Sequence, residues 1–292
     1  MINRLIITLF LLVISLKSIF AQEYINSANL MRSIEKQLNQ PSFDTTALNK
    51  IYDNIHTVKE LKKVAIKLEK RARKQLSAEA IFEKTYPSVF MFIQVYKDKN
   101  GMRKVNGAGT AFPISADGYF IVNKHMVNEF GLGSGDPTKV NKELKVMLSS
   151  NTGDLYYIDS IVTYSGEADI AILKADLKGN KIKPFALGDD LKTGAEVFVL
   201  SHPKNYIYYF SAGRIARFTE AGNRGLFSRK MEITADYAAG SSGGPIIDNK
   251  GNIAGLVSST RSFYYDQANQ KNLQMVVKET IPVSTIKGLL NP

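Results

Sequence analysis

The sequence predicts a mainly β protein that is preceded by a helical extension. From residue 86 onward, short runs of β-branched and aromatic residues alternate with turn residues, a pattern typical of strands. Residues 23–80 instead repeat apolar side chains every three or four positions, as amphipathic helices do. With 292 residues, 44% of them hydrophobic, the chain can form one domain of about 200 residues plus an extension.

The first 21 residues have the pattern of a secretory signal peptide. Arg4 supplies a positive charge, and Leu5 to Leu16 form an apolar run that is short for a membrane span. Ala21 stands at a suitable cleavage point before Gln22, and an uncleaved membrane anchor is the alternative. We expect cleavage near Ala21 and a mature protein that is periplasmic or secreted.

Residues 22–82 are predicted to form a basic helical extension. One helix is expected over residues 29–38, and a second is expected to run from about residue 51 to residue 68. Between Lys59 and Lys74 there are eight Lys or Arg residues and two Glu residues. A basic amphipathic helix can contact an anionic surface, although such a face is more often simply solvated.

The strands of the remaining chain are predicted from period-two patterns and turn signals. Many short strands are typical of both sandwiches and barrels, and the pattern alone does not separate these two architectures. A terminal helix is expected over residues 283–290. The predicted strands are residues 89–95, 110–114, 119–122, 145–148, 156–164, 170–174, 196–200, 206–218, 230–234, 245–247, 253–259 and 275–281.

The composition argues against several classes of function. The chain has no cysteine and only three histidines, so we expect neither a metal site nor another cofactor. The net charge of +11 favours anionic contacts, but basic and aromatic residues are not interleaved as in nucleic-acid readers. We therefore expect no nucleic-acid partner.

The stretch GSSGGP at residues 240–245 presents Ser242 between glycines. A serine hydroxyl becomes a useful nucleophile when a neighbouring base takes its proton and N–H donors face the oxyanion that forms. Glycines permit the tight backbone that such donors require. The alternative for this stretch alone is an ordinary turn between two strands.

Two further stretches supply a base and a carboxylate for Ser242. His125 lies in residues 117–127 (DGYFIVNKHMV), and its imidazole is suited to accept and return a proton near neutral pH. Asp169 lies in residues 168–174 (ADIAILK), on a strand between apolar residues, where a buried carboxylate would orient the imidazole. The order His, Asp, Ser is the order in chymotrypsin-like enzymes.

Residues 85–288 resemble the trypsin-like serine peptidases, and most closely the HtrA/Deg-type bacterial protease domain. The resemblance is carried by GAGT at residues 107–110, by the two stretches around His125 and Asp169, and by GSSGGP. It implies a chymotrypsin-like pair of six-stranded antiparallel β-barrels at residues 83–292. Barrel one would cover about residues 83–178 and barrel two about residues 179–282, with the substrate cleft between them.

The resemblance also implies roles for individual residues. Those that match the family's motif place His125, Asp169 and Ser242 in a catalytic triad and the N–H groups of Gly240 and Ser242 in an oxyanion hole. Ser258 matches a position whose side chain supports the catalytic aspartate. The resemblance does not extend to a PDZ domain, so we do not expect the peptide-gated oligomer of full-length HtrA proteins.

Several residues depart from the family pattern near the specificity pocket. Ser241 replaces an acidic residue of the digestive enzymes, so activation through an ion pair at that position is not expected. Asp236 stands six residues before Ser242, where an aspartate selects Arg or Lys in trypsins. Thr260 replaces a glycine that keeps deep pockets open, which favours small aliphatic substrate side chains over basic ones.

Together these features predict an exported serine endopeptidase that cleaves polypeptides through an acyl-enzyme intermediate. An inactive protease fold that binds a partner is one alternative, and an esterase is another. The oligomeric state and the role of the N-terminal extension are not predicted.

Overall fold

Twelve strands in the described part of the chain close into two six-stranded antiparallel barrels. The computed structural model describes residues 24–132, 141, 143–222 and 224–291. Each of the twelve predicted strands is found, and the chymotrypsin-like fold class is confirmed. The predicted signal peptide, residues 1–21, lies outside the described residues.

Barrel one contains the first six strands, in the order β1-β2-β3-β6-β5-β4. Phe90 and Phe120 meet edge to face in its core, with 5.0 Å between the ring centres. In the neighbouring strands β3 and β6, Val122 lies opposite Ala171, so residues after β3 lie beside residues before β6. The strands are β1 (Phe90–Lys97), β2 (Arg103–Pro113), β3 (Tyr119–Val122), β4 (Lys145–Ser149), β5 (Leu155–Ser165) and β6 (Ile170–Asp176).

Barrel two contains the other six strands, in the order β10-β11-β12-β9-β8-β7. Strands β11 and β12 continue as a hairpin to the pair Asp266 and Lys271, beyond the predicted limits Ser259 and Met275. Its tip is exposed, so the apolar alternation that marks a half-buried strand is missing there. The strands are β7 (Glu196–Ser201), β8 (Tyr209–Glu220), β9 (Arg229–Ile233), β10 (Pro245–Asp248), β11 (Ile253–Asp266) and β12 (Lys271–Pro282).

Three α-helices among the described residues pack around the barrels. Helix α1 (Ser27–Leu38) confirms the first predicted helix and buries Ile34 and Leu38. Helix α2 (Ala78–Thr85) is followed closely by β1, and α3 (Val283–Lys287) is shorter than the predicted terminal helix. No helix in the described ranges is long and apolar enough to cross a membrane.

The second predicted helix, over residues 51–68, is wrong. A short 3₁₀ helix covers Ala47–Tyr52, and residues 58–76 then run extended along both barrels. The N–H of Leu61 donates to the carbonyl of Tyr164 at 2.8 Å, and the N–H of Val64 donates to that of Leu289 at 3.0 Å. These barrel groups satisfy the backbone polar atoms that a helix would have satisfied internally. We call residues 58–76 the basic strap.

The basic strap keeps all of its cations at the surface. Each of the eight Lys and Arg residues between Lys59 and Lys74 is exposed, and Arg71 forms an ion pair with Asp189. Near its end, the side chain of Asn252 accepts from the N–H of Ala72 at 2.8 Å and donates to its carbonyl at 3.0 Å. The Asn252 side chain therefore fixes the strap to barrel two through the backbone of Ala72, while the charged side chains of the strap stay exposed to solvent.

Candidate active site

Three side chains from the two barrels meet in one hydrogen-bonded row. The Nδ1 atom of His125 is 2.8 Å from Oδ2 of Asp169, and its Nε2 atom is 3.1 Å from Oγ of Ser242. The His125 side chain is 46% exposed, so the row is open to a ligand. The pairing of β3 with β6 explains the contact between His125 and Asp169. It places the 3₁₀ helix Lys124–Phe130, which contains His125, beside the turn before β6, which contains Asp169.

Asp169 lies in that turn and not on the strand where the sequence analysis expected it. Its φ is +61°, and its side chain is 25% exposed, so the expectation of a buried strand residue is wrong. Aspartate is among the residues that tolerate this left-handed conformation. The turn lets Oδ1 accept from the N–H of His125 at 2.8 Å while Oδ2 faces the imidazole. One carboxylate thus fixes both the backbone and the ring of His125.

Ser242 is held in a tight loop by glycines with positive φ. Gly240 has φ of +92° and Gly243 has φ of +81°, and the N–H of Ser241 donates to the carbonyl of Ala238 at 2.9 Å. In the described part of the chain, the N–H groups of Gly240 and Ser242 donate to no other protein group. Two unpaired N–H donors in the loop of the hydroxyl are suited to stabilise an oxyanion.

The loop of Ser242 is attached to barrel one by two hydrogen bonds. The N–H of Thr110 donates to the carbonyl of Ser242 at 2.7 Å, and the N–H of Gly243 donates to Oδ1 of Asn123 at 2.6 Å. A Cβ on Gly109 would lie 3.0 Å from the carbonyl oxygen of Ser242, so a glycine at this position permits the close approach of the loop. The sequence analysis quoted these residues as parts of motifs but missed that they join the barrels.

Ser241, at the position that is acidic in digestive enzymes, has a buried uncharged side chain here. Its Oγ accepts a hydrogen bond from the hydroxyl of Ser201 at 3.0 Å. The contact is local to barrel two and involves no ion pair.

The predicted supporting residue Ser258 contacts a lysine. Nζ of Lys230 donates to the Ser258 hydroxyl at 3.4 Å. Burial lowers the pKa of the Lys230 ammonium, while the nearby carboxylates of Asp169 and Glu279 act in the opposite direction. Lys230 is a charged neighbour of Asp169 that the sequence analysis missed, because a single lysine on a strand carries no distinguishing pattern.

The predicted specificity residues Asp236 and Thr260 lie near a second lysine. The Asp236 side chain is 77% exposed and is 3.5 Å from Nζ of Lys278, and Thr260 pairs with Lys278 in the β11–β12 ladder. Asp236 is therefore not the buried carboxylate that would select Arg or Lys. No group of three or more His, Asp or Glu residues in the described ranges could hold a metal ion.

Comparisons with known proteins agree with this fold and motif order. A family model described as "Trypsin-like peptidase domain" matches residues 109–256. Protease Do-like 5, a chloroplastic protein of Arabidopsis thaliana, is 27% identical over 200 residues, which cover 62% of this chain and 59% of that protein. A probable periplasmic serine endoprotease DegP-like of Ectopseudomonas mendocina is 29% identical over 188 residues, which cover 62% of this chain and 35% of that protein.

Solved structures of the same fold include the HtrA-type protease AlgW with a decapeptide. The TM-score is 0.55 at 18% identity, and the match covers 73% of this chain and 66% of that one. This likeness shows the fold alone. In sequence, the chain spans little more than half of the plant relative and about a third of the bacterial one.

Proposed function

Because the chain belongs to the trypsin-like peptidase domain family, we propose that it is an exported serine endopeptidase in which His125, Asp169 and Ser242 form the catalytic triad. The observation that carries this proposal is the continuous row from Asp169 through His125 to Ser242, with distances of 2.8 and 3.1 Å. Such a row supplies both a base for the hydroxyl and a group that orients the base.

The proposed reaction begins when Ser242 Oγ attacks the carbonyl carbon of a peptide bond. Nε2 of His125 takes the hydroxyl proton, and the oxyanion accepts hydrogen bonds from the N–H groups of Gly240 and Ser242. His125 then gives the proton to the leaving amine, which leaves an acyl-enzyme on Ser242. Water, activated by the same imidazole, attacks the ester and restores the free serine.

Asp169 has a supporting part in this proposal. Its Oδ2 accepts from Nδ1–H of His125, which leaves the lone pair of Nε2 facing the serine. Its negative charge also stabilises the imidazolium that forms when Ser242 loses its proton. The bond from the N–H of His125 to Oδ1 keeps the carboxylate aligned for both purposes.

Polypeptides are the proposed substrates, and support comes from relatives that are described as proteases. The AlgW structure, which shares this fold, is described as a protease with a decapeptide. In this chain His125 is half exposed at the junction of two barrels, where an extended peptide has access to Ser242. The open row favours an endopeptidase because it does not require a free chain terminus.

Export is proposed from the apolar leader, and the DegP-like relative that is described as periplasmic supports it. N-terminal sequencing of the protein from the extracytoplasmic fraction should find Gln22 as the first residue. A protein that keeps Met1 in that fraction would support an uncleaved anchor instead.

The experiment that tests the enzyme is labelling of the mature protein with a fluorophosphonate probe, followed by peptide mapping. We expect modification of Ser242 that His125→Ala abolishes, together with casein cleavage that Ser242→Ala lowers by about 10⁴-fold or more. Ester hydrolysis without peptide cleavage would favour an esterase. A folded protein that is never labelled would favour a binding scaffold.

A further inference from the structure

The ammonium group of Lys278 lies beside the loop that contains Ser242, residues 234–244, which we call the nucleophile loop. Its side chain is only 12% exposed, and its Nζ donates a hydrogen bond to the carbonyl of Tyr237. The same nitrogen is 3.5 Å from a carboxylate oxygen of Asp236. These two partners precede Ser242 by five and six residues, so a largely buried cation is fixed next to the nucleophile loop.

Tyr237 packs beside this cation. Its side chain is buried, and its hydroxyl lies 2.9 Å from the carbonyl oxygen of Ser259 and 2.7 Å from that of Glu279. Nζ of Lys278 is 5.3 Å from the centre of the Tyr237 ring. The Tyr237 side chain therefore reaches from the nucleophile loop to both β11 and β12.

The space around the Lys278 ammonium is bordered by the two positions that the sequence analysis assigned to substrate selection. Asp236 belongs to the nucleophile loop, and Thr260 lies opposite Lys278 in the β11–β12 ladder. Lys278 is thus placed between them.

The other charged groups around the space already have polar partners. The Glu279 carboxylate accepts from the Ser259 hydroxyl at 2.7 Å, and the Lys230 ammonium donates to the Ser258 hydroxyl at 3.4 Å. The Asp236 side chain is 77% exposed, so its pair with Lys278 is easily exchanged with water. Lys278 is consequently a charged group whose present carboxylate partner can be replaced by an incoming one.

We propose that this space receives the side chain of the substrate residue whose carbonyl is attacked, and that Lys278 selects aspartate or glutamate there. The inference rests on the proposed endopeptidase function. The substrate carboxylate takes the place of Asp236 beside Nζ, while the Tyr237 carbonyl keeps one of the three N–H groups of the ammonium. Charge-assisted hydrogen bonds of this kind are among the stronger ones in proteins.

The same arrangement rejects basic substrate residues. A lysine or arginine side chain would bring a second cation against a partly buried ammonium, and like charges repel more strongly as solvent is removed. This selection is the reverse of the one that a buried carboxylate at Asp236 would produce. A small apolar side chain offers no charge and leaves Lys278 with its present partners.

The test is a set of fluorogenic peptides that differ only in the residue before the scissile bond. Glutamate and glutamine form the matched pair, because they share a shape and differ in charge. We expect kcat/KM for the glutamate peptide to exceed that for the glutamine peptide by tenfold or more, with the arginine peptide cleaved most slowly. In Lys278→Met the ratio of glutamate to glutamine should fall to about one.

A second variant tests the inference while Lys278 stays in place. Asp236→Asn removes the competing carboxylate from an exposed position, and it should raise the ratio of glutamate to glutamine above the wild-type value. A wild-type ratio near one, with Ser242 still labelled by fluorophosphonate, would overturn the inference and leave the proposed function intact. Absence of both labelling and cleavage in the folded protein would remove the proposed function and this inference together.

Discussion

The side-chain oxygen of Asn123 accepts a hydrogen bond from the N–H of Gly243 at 2.6 Å, across the boundary between the two barrels. The side-chain nitrogen of Asn123 also donates to the carbonyl of Asp169 at 2.9 Å. One fully buried amide from barrel one therefore holds the turn that carries Asp169 and the loop that carries Ser242. This side chain therefore links the acid directly to the loop of the nucleophile.

Asn123→Ala should lower both stability and turnover. The substitution leaves the buried N–H of Gly243 without its partner, which costs about 1–3 kcal/mol. The Asp169 carbonyl loses one hydrogen bond and keeps the one from the N–H of Lys124. The Ser242 loop should also shift relative to His125, so we expect kcat to fall by at least about tenfold. Urea unfolding and peptide hydrolysis, measured on the same preparation, check the two effects.

Asn252→Ala is the matched control for this prediction. Asn252 is a buried asparagine whose side chain also bridges two backbone groups, but these belong to Ala72 in the basic strap. The variant should lose a similar free energy of unfolding and keep kcat within about twofold. Equal losses of kcat in both variants would show that Asn123 acts through stability alone.

Gly243→Ala should disrupt the contact between the barrels. A Cβ at this position would lie 1.9 Å from the carbonyl oxygen of Thr110, and the backbone has φ of +81°. The loop must move to relieve this clash, which breaks the hydrogen bond of Thr110 to Ser242. We expect loss of fluorophosphonate labelling and a free energy of unfolding lowered by more than about 3 kcal/mol.

The control is Gly179→Ala, where φ is +77° but nothing lies within 4 Å of the new Cβ. That variant suffers the left-handed backbone cost alone, about 1–2 kcal/mol, and should be labelled normally. Similar behaviour of the two variants would mean that backbone strain, and not the clash with Thr110, decides the outcome at Gly243.

The strands and the candidate triad were predictable because their signals are local. Period-two apolar patterns mark half-buried strands, and the glycines around Ser242 mark a loop with positive φ. The turn conformation of Asp169 was not predictable, since its sequence surroundings read equally well as the start of a strand. Only the pairing of β3 with β6 shows that the turn faces His125.

The basic strap and the surroundings of Lys278 depend on contacts that are distant in sequence. The apolar spacing of residues 51–68 indicates a helix. In the structure the N–H groups of Leu61 and Val64 donate instead to the carbonyls of Tyr164 and Leu289, which are distant in sequence. Lys278 gains its place opposite Thr260 through the β11–β12 register. Neither partner can be assigned from one sequence, because register and long-range pairing leave no local pattern.

The exposed cations of the basic strap should give weak, salt-sensitive binding to anionic vesicles. All eight are solvent-accessible, but the strap is extended and lacks an amphipathic helical face, so the attraction is electrostatic. Replacing Lys62, Lys63 and Lys67 by glutamine should weaken co-sedimentation by at least about tenfold. Binding to neutral vesicles should be absent for both proteins.

A variant with the same net charge separates the strap from the overall charge of the protein. Lys97, Lys99 and Lys271 are exposed lysines outside the strap, and replacing them by glutamine should change vesicle binding much less. If both triple variants lose the same affinity, net charge and not the strap is responsible. If wild type does not bind at all in low salt, the strap is a solvated surface.

The stability of the protein should fall in mild acid because of His202. This residue is buried, its Nδ1 accepts from the N–H of Tyr208 at 3.0 Å, and burial lowers its pKa to about 3. In the unfolded chain its pKa is near 6.5, so the unfolded state binds the proton first as the pH falls. The contribution is therefore complete above about pH 6.5 and is lost progressively down to about pH 3, by about 1.4 kcal/mol per pH unit.

Urea unfolding at pH 7 and pH 4.5 tests this effect in wild type and in His202→Gln, which cannot titrate. Wild type should lose about 2–3 kcal/mol more than the variant between these pH values, whereas His56→Gln, at an exposed histidine, should behave as wild type. Protonation of His202 should also disturb the loop of Ser242. Lys204, two residues after His202, donates its N–H to the carbonyl of Ala239 at 2.7 Å, next to Gly240. An equal loss of unfolding free energy in wild type and His202→Gln between these pH values would place the acid-sensitive group elsewhere.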